Sequence, residues 1–288
     1  MTYQSVMAPG TFNYTTSLVT GGGSGIGRCI AHEIASLGGH VVITGRTAEK
    51  LERVQAEIIE DGGNADFKCF DIRDEDGVRD GVSQIVEEFG QIHALVNNAG
   101  GQFIAPLEEI SANGFEAVVK NNLTGTFLMI REVFTQSMQK NGGAIVNITA
   151  DNLNGMPGMG HSGAARAGVE NLTKTAAWEW ARYGVRINSV APGWIRSSGF
   201  DTYPPEIQKQ LLSYYEKSPM KRFGTEAEVS AAVCFLLSRG AGFISGESLW
   251  VDGASSLGAP HATFPIPDGP AKESTLYNGF HRSGDPRS

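Results

Sequence analysis

The sequence predicts an α/β fold of the Rossmann type, a doubly wound parallel sheet with helices on both faces, in a single domain. Three observations predict it. Short β-branched, apolar runs alternate with amphipathic segments along most of the chain. The first such run leads straight into a glycine-dense turn. A length of 288 residues, 41% of them apolar and none in long charge blocks, suits one large domain with a core of its own.

The chain is organised around Leu18-Val19-Thr20-Gly21-Gly22-Gly23-Ser24-Gly25-Ile26-Gly27. This stretch reads as strand, tight turn and helix, because Ile26, Ile30, Ile34 and Leu37 continue it with a helical period. Glycines let a backbone approach an anion closely, and a helix start offers unpaired N–H groups at its positive end. The order strand, glycines, helix therefore predicts a dinucleotide-phosphate site, with Thr20, Gly21, Ser24, Gly25, Ile26 and Gly27 around it. Next come the strand Val41–Thr44, a charged helical segment from Ala48 to Ile59, the strand Phe67–Phe70 and an amphipathic helix from Asp74 to Phe89. Ala94–Asn97 is a short buried strand ending in Asn98-Ala99-Gly100-Gly101. A long helix from about Gly114 to Gln139 precedes the strand Ala144–Ile148. A helix from about His161 to Tyr183, the strand Arg186–Val190, a helix from Glu226 to Leu237 and the strand Ser248–Val251 close the pattern. No linker or repeat interrupts it, so residues 1–257 are expected to be the folded domain and 258–288 a C-terminal arm or tail. Ser197 to Met220, rich in Tyr, Pro and Leu, falls after a strand's C-terminal end, where such sheets bind ligands. Its part from Phe200 to Tyr215 hints at a roomy apolar pocket.

Composition narrows the partners. A net charge of −8 argues against nucleic acid or an anionic membrane surface, though local basic residues can still hold an anionic cofactor. Cys29, Cys69 and Cys234 have no metal-ligand spacing and read as reduced thiols. There is no histidine pair at metal spacing, so no metal is expected. The N-terminus lacks signal-peptide features, no run of about 18 apolar residues exists, and Asp285-Pro286-Arg287-Ser288 is not a peroxisomal ending. A cytoplasmic location is the expectation.

The residue after the second strand selects the cofactor. An acidic side chain there would bond the ribose hydroxyls of NAD. Here Gly45 is followed by Arg46, with nothing acidic before Glu49. A guanidinium fork suits a 2′-phosphate, which points to NADP(H); the alternative is a solvated surface arginine.

From about Phe12 to Leu257 the sequence resembles the short-chain dehydrogenase/reductase family. The matching pieces are Thr20-Gly21-x-x-x-Gly25-Ile26-Gly27, Asp71-Ile72, Asn97-Asn98-Ala99-Gly100, Asn122-Leu123-Thr124-Gly125, Arg186-Ile187-Asn188, Pro192-Gly193-Trp194-Ile195 and Val251-Asp252-Gly253. The resemblance implies that Asp71, with Ile72, meets the adenine and that Asn98, Ala99 and Gly100 line the cofactor cleft. It implies that Pro192, Gly193, Ile195 and Ser197 lie at the nicotinamide amide or nearby phosphates. It also implies a homotetramer.

The departure from the family is informative. Most members carry a serine and then Tyr-x-x-x-Lys, where lysine lowers the tyrosine's pKa for proton transfer. This helix reads His161-Ser162-Gly163-Ala164-Ala165-Arg166-Ala167-Gly168-Val169, with Ser162 in the tyrosine's place and Arg166 in the lysine's. Thr149-Ala150-Asp151 replaces the upstream serine. A serine hydroxyl is a poor acid and an arginine no proton shuttle, so the usual alcohol-oxidising machinery is missing.

Three branches are similar. The 2,4-dienoyl-CoA reductases share the serine and take a tyrosine where Asp151 stands. The peroxisomal trans-2-enoyl-CoA reductases resemble the chain through Asn97-Asn98-x-Gly100-Gly101-Gln102-Phe103, Asn122-Leu123-Thr124-Gly125-Thr126-Phe127 and the nine residues from His161; the tyrosine they place one residue beyond is Glu170 here. The bacterial citronellol/citronellal dehydrogenases are similar in Gly158-Met159-Gly160-His161, Ala191-Pro192-Gly193-Trp194-Ile195 and Gly279-Phe280-His281-Arg282. The expectation is NADPH-dependent reduction of the C=C bond of an enoyl-CoA, a reaction of lipid metabolism. Ser162 and Thr149 would be donors to the enolate oxygen, Asp151 the proton source, Arg166 the ribose holder and Asn122 an orienting group for water or backbone. For Asp151 the alternative is a helix or loop cap, and for Arg166 a structural ion pair. The alternatives for the whole protein are a terpenoid alcohol or aldehyde dehydrogenase and a cofactor-binding protein without catalysis.

Overall fold

The computed structural model describes residues 2–198, 200, 204–215, 218–257, 269, 272 and 276–283. Among these, seven parallel strands form the central sheet. They are β1 (Thr16–Thr20), β2 (His40–Gly45), β3 (Asn64–Cys69), β4 (Ala94–Asn97), β5 (Gly143–Ile148), β6 (Val185–Pro192) and the last strand, β9 (Ser248–Val251). The spatial order β3-β2-β1-β4-β5-β6-β9 reverses direction at β1, so a crevice opens between the C-terminal ends of β1 and β4. A short pair, β7 (Ile195–Arg196) and β8 (Gly224–Thr225), stands apart from the main sheet.

Alternation of side chains across the pleat builds two cores. In β1 and β2, Val19, Val41 and Ile43 face one side, while Leu18 and Val42 face the other. The first side is covered by α1 (Gly25–Ser36), α2 (Ala48–Glu60) and α9 (Glu226–Leu237), through Ile30 and Ile34, Leu51, Val54 and Ile58, and Val229 and Val233. The second is covered by α3 (Glu75–Phe89), by the helix that follows β4 and by α7 (Gly160–Trp180). The predicted strands and helices are all present. The third strand begins at Asn64, ahead of the predicted Phe67, because Asn64 to Cys69 pair in register with His40 to Gly45. The helix expected over 114–139 is broken into α4 (Ala112–Val119), α5 (Gly125–Val133) and α6 (Gln139–Asn141), joined by wide π turns at Lys120–Thr124 and Phe134–Met138. A π turn adds a residue to the helix and re-aims a side chain. At the first one, that side chain is Asn122.

Of the stretch Ser197 to Met220, whose part from Phe200 to Tyr215 was expected to line a roomy pocket, Pro205–Tyr215 form the helix α8, and residues 199, 201–203, 216 and 217 lie outside the described residues. Most of 258–288 also lies outside them. Its described part, 276–283, runs back over the body: Gly279 O accepts from Gln4 N at 2.9 Å, and Phe280 is buried with Tyr3, Cys29 and Ala227.

Candidate active site

The crevice at the switch point is built by short polar ties between strand ends. Thr20 Oγ1 accepts from the amides of Asn98 and Ala99, both at 3.0 Å, and donates to Val96 O at 3.3 Å. Asn98 Nδ2 donates back to Thr20 O and Gly21 O at 3.1 and 3.3 Å. Thr20 and Asn98 thus hold the two loops in register and do not face the crevice with free hydroxyl or amide hydrogens. Gly21 has φ +66°, and a Cβ there would lie 2.9 Å from Asn98 Nδ2 and 3.0 Å from Ala99 Cα. Only glycine lets these loops close on one another.

Two openings follow the crevice. One, of about 260 Å³, is lined by Gly21, Ser24, Arg46, Lys50, Asp71 and Ile72, among others, beside Asn98, Ala99 and Gly100. It carries Arg46 and Lys50, the first two basic side chains after β2. Ser24 caps α1 with no side-chain bond, leaving the amides at this helix start unclaimed by the cap. Asp71 is engaged: Arg73 grips it through Nε at 3.0 Å and Nη2 at 2.6 Å and holds its carboxyl below the usual range. The other opening, of about 600 Å³, is lined by Gly25, Ile26, Gly100, Gln102, Thr149, Asp151, Arg166, Pro192, Gly193, Ile195 and Ser197, with Met156, Met159, Trp194 and Phe200 as apolar wall. Gly27 is buried in the first turn of α1, behind this lining.

Arg166 is buried, and its Nη1 donates to Ile148 O at 2.7 Å. Its Nε has no hydrogen-bond partner among the described residues, and burial without an anion pulls its pKa down to about 10. No ion pair of Arg166 is found among the described residues. A buried guanidinium with an orphaned N–H at a cleft wall is incomplete without a polar ligand. Gly100 brings the loop against it, since a Cβ there would lie 2.5 Å from Arg166 Nη2. The open glycine turn, the basic pair Arg46 and Lys50, and the unfilled Arg166 together fit a phosphorylated, ribose-bearing cofactor.

Asn122, fully buried, exchanges two bonds with the Gly101 backbone: Gly101 N donates to Oδ1 at 2.9 Å, and Nδ2 donates to Gly101 O at 3.0 Å. It orients a backbone, that of the loop after β4. Asp151 is half-buried, its amide donating to Pro192 O at 3.0 Å. Burial first, and then the charge of Asp252, push its carboxyl pKa up. The helix behind it starts at Gly160 with Met159 as cap residue, so Asp151 caps no helix there; the Leu153 amide does bond its carboxylate, as a loop cap would, and offsets part of the upward shift.

The two hydroxyls expected to serve as donors point elsewhere. Ser162 Oγ donates to Gln102 Oε1 at 3.0 Å, and Thr149 Oγ1 donates to Val190 O at 3.2 Å. Ser162 is fully buried behind Gln102. Gln102 was visible in the sequence only as one letter of the motif after β4; its partnership with Ser162, 60 residues away, has no local signal. His161 lies beside them, its Nδ1 accepting from Ser162 N at 2.8 Å and its ring edge-on to Phe103 with centroids 4.3 Å apart. Trp180, half-buried, stacks on Phe134 at the edge of the core, whereas Trp178 is exposed.

Among the described residues, no group of three or more metal-ligating side chains is found, and no helix is long and apolar enough to cross a membrane.

The profile of the family described as "Enoyl-(Acyl carrier protein) reductase" matches residues 21–255. A Bacillus subtilis protein named "Probable 2,4-dienoyl-CoA reductase" is 38% identical over 243 residues, covering 83% of this chain and 96% of that one. Gluconate 5-dehydrogenase of Gluconobacter oxydans is 35% identical over 249 residues, with coverage of 84% and 94%. Among solved structures, a citronellol catabolism dehydrogenase of Pseudomonas aeruginosa superposes with a TM-score of 0.81 at 55% identity, covering 88% of this chain and all of that one.

Proposed function

The chain belongs to the short-chain dehydrogenase/reductase family of oxidoreductases, which use a nicotinamide cofactor on small-molecule substrates, and from that premise we propose that it reduces the C=C bond of a trans-2-enoyl-CoA with NADPH. One observation carries the reading. Among the described residues lining the larger cavity, the titratable side chains are Asp151 and Arg166, and the Asp151 carboxyl has a raised pKa. A carboxylate is too weak a base to draw a proton from an alcohol efficiently. A carboxylic acid of raised pKa is well matched to protonating the carbon of an enolate.

In this reading NADPH, when bound, supplies a hydride to the β-carbon of the substrate. The electron pair of the C=C bond moves to the thioester oxygen as an enolate, and the α-carbon then takes a proton from Asp151, directly or through water. The substrate is reduced and the dihydronicotinamide oxidised, with one hydride and one proton consumed. Ser24 and the amides at the start of α1 would receive the pyrophosphate, Arg46 and Lys50 the 2′-phosphate, and Arg166 the nicotinamide ribose. Thr20, Asn98 and Asn122 would hold the loops that shape the cleft. Met156, Met159, Trp194 and Phe200 offer an apolar wall to the acyl chain. A homotetramer in the cytoplasm, and a folded unit ending near residue 257 with an arm beyond, belong to the same proposal.

The likeness to the citronellol catabolism dehydrogenase favours a second reading, oxidation of an acyclic terpenoid alcohol. The deciding assay follows NADPH absorbance with medium-chain trans-2-enoyl-CoA, beside citronellol with NADP⁺. Loss of NADPH with the thioester alone supports C=C reduction. Reaction with citronellol alone overturns it.

A further inference from the structure

We propose that Gln102, oriented by Ser162, is the hydrogen-bond donor to the substrate's carbonyl oxygen, and that Ser162 is a positioning residue with no direct contact to substrate; the inference rests on the C=C-reduction reading above. Ser162 stands where a proton-donating side chain would be expected on α7, yet it is fully buried and its one hydroxyl proton is spent on Gln102 Oε1 at 3.0 Å. A carboxamide held by its oxygen turns its NH2 group away from that bond. Gln102 lines the cavity that also holds Asp151 and Arg166, and its side chain is exposed there. Thr149, the other hydroxyl at the site, is committed to Val190 O at 3.2 Å.

The backbone that carries Gln102 is fixed on both sides. On one side Asn122, in the π turn, takes both polar groups of Gly101, at 2.9 and 3.0 Å. On the other, the Phe103 ring meets His161 edge-on, and Ala105 N donates to Gly158 O at 2.9 Å. With the main chain clamped and the oxygen end bonded, the NH2 group has little freedom left. A preorganised donor of this kind stabilises charge developing on a carbonyl oxygen without having to reorganise during reaction.

The test is kinetics on Gln102→Leu, Gln102→Glu, Ser162→Ala, Ser162→Thr and the pair Gln102→Leu/Ser162→Ala in the full-length protein, with medium-chain trans-2-enoyl-CoA as substrate. NADPH affinity by fluorescence quenching serves as the fold control. Gln102→Leu and Gln102→Glu should each lower kcat about 100-fold, the size typical of one lost oxyanion donor, and leave NADPH affinity within twofold. Ser162→Ala should lower kcat less, Ser162→Thr should recover most of it, and Ser162→Ala should cost nothing further once Gln102 is leucine. Wild-type kcat in Gln102→Leu with loss in Ser162→Ala would show that the serine itself meets the substrate and would overturn the proposal. Independent, multiplicative losses would overturn the positioning link. If the wild-type protein reduces no enoyl thioester, the C=C reading has failed and this inference falls with it, whereas wild-type turnover with indifferent Gln102 variants sinks the inference alone.

Discussion

Asp151 shows how a single side chain is tuned by its surroundings. The Asp151 carboxyl sits where burial and the neighbouring Asp252 both disfavour its charge. With a native pKa above its unfolded value, the native state binds more protons, so stability falls as pH rises through that raised pKa. Asp151→Asn should therefore raise the melting temperature at neutral pH, read by calorimetry. It should also lower turnover by about 100-fold or more if the group is the proton source. Wild-type turnover should decline as pH rises through the same pKa, and this limb should vanish in the asparagine variant; an unchanged profile would remove Asp151 from the chemistry. Arg46 lines the smaller opening beside Lys50. Arg46→Ala should raise KM for NADPH about tenfold or more through loss of a charge-assisted bond, and leave KM for NADH nearly unchanged. Equal effects on both cofactors would mean that Arg46 does not read the 2′-phosphate.

Helix ends and helix irregularities do the positioning at the next scale. The π turn at Lys120–Thr124 presents Asn122 to Gly101, and Thr126 Oγ1 takes up Asn122 O at 2.9 Å. Behind the sheet, Asn97 donates to Asn147 at 2.8 Å, and Asn147 donates to Thr173 at 2.9 Å, which fixes α7 against the ends of β4 and β5. Arg186 Nη1 donates to Leu236 O at 2.8 Å, and its Nη2 donates to Leu237 O and Ser238 O, both at 3.2 Å, closing the C-terminal end of α9. The other end has a capping box: Thr225 Oγ1 accepts from Glu228 N at 3.1 Å, and Glu228 accepts from Thr225 N at 2.9 Å. Thr225 Oγ1 also donates to Tyr277 O at 2.6 Å. Thr225→Ala should cost about 1–2 kcal/mol in urea unfolding, the upper part of the range for a cap because the tie to residue 277 goes with it. Thr225→Ser should retain most of the stability.

At the scale of the whole molecule, Tyr3 and Ser5 from the N-terminal segment and residues 276–283 meet at the same corner. Glu33, fully buried on α1, accepts from Tyr3 at 3.1 Å, from Ser5 at 2.6 Å and from Ser230. Phe280 packs with Tyr3, Cys29 and Ala227, and Arg282 grips Asp61 at 2.8 and 3.0 Å through Nη2 and Nε. Phe280→Ala should destabilise the protein by about 3 kcal/mol, since it empties a fully buried aromatic site. Loss of under 1 kcal/mol would mean that residues 276–283 add little to the fold. His32, in the same corner, is buried beside Glu57 and Asp61, and burial lowers its pKa to about 4. Its native pKa lies below the unfolded value of 6.5, so the unfolded state binds more protons between the two. Stability should fall as pH drops from 6.5 towards 4, by up to about 3 kcal/mol, and His32→Leu should flatten that slope in pH-dependent denaturation.

Periodicity and turn chemistry were enough to place the parallel sheet, its flanking helices and the glycine turn, because each depends on neighbours only a few residues apart. The altered Ser162 and Arg166 pair, Asp151 and Arg46 were also legible, since each is a departure at a position that a motif defines. The π turns were not legible: an added helical residue leaves apolar spacing nearly intact, and only the close approach of Asn122 to Gly101 reveals it. Nor could the sequence tell which hydroxyls face a substrate. Ser162 meets Gln102, and Thr149 meets Val190, across strands and loops distant in the chain. The direction of a hydroxyl proton is set by whichever acceptor packing brings within about 3 Å, and that choice belongs to the tertiary structure alone.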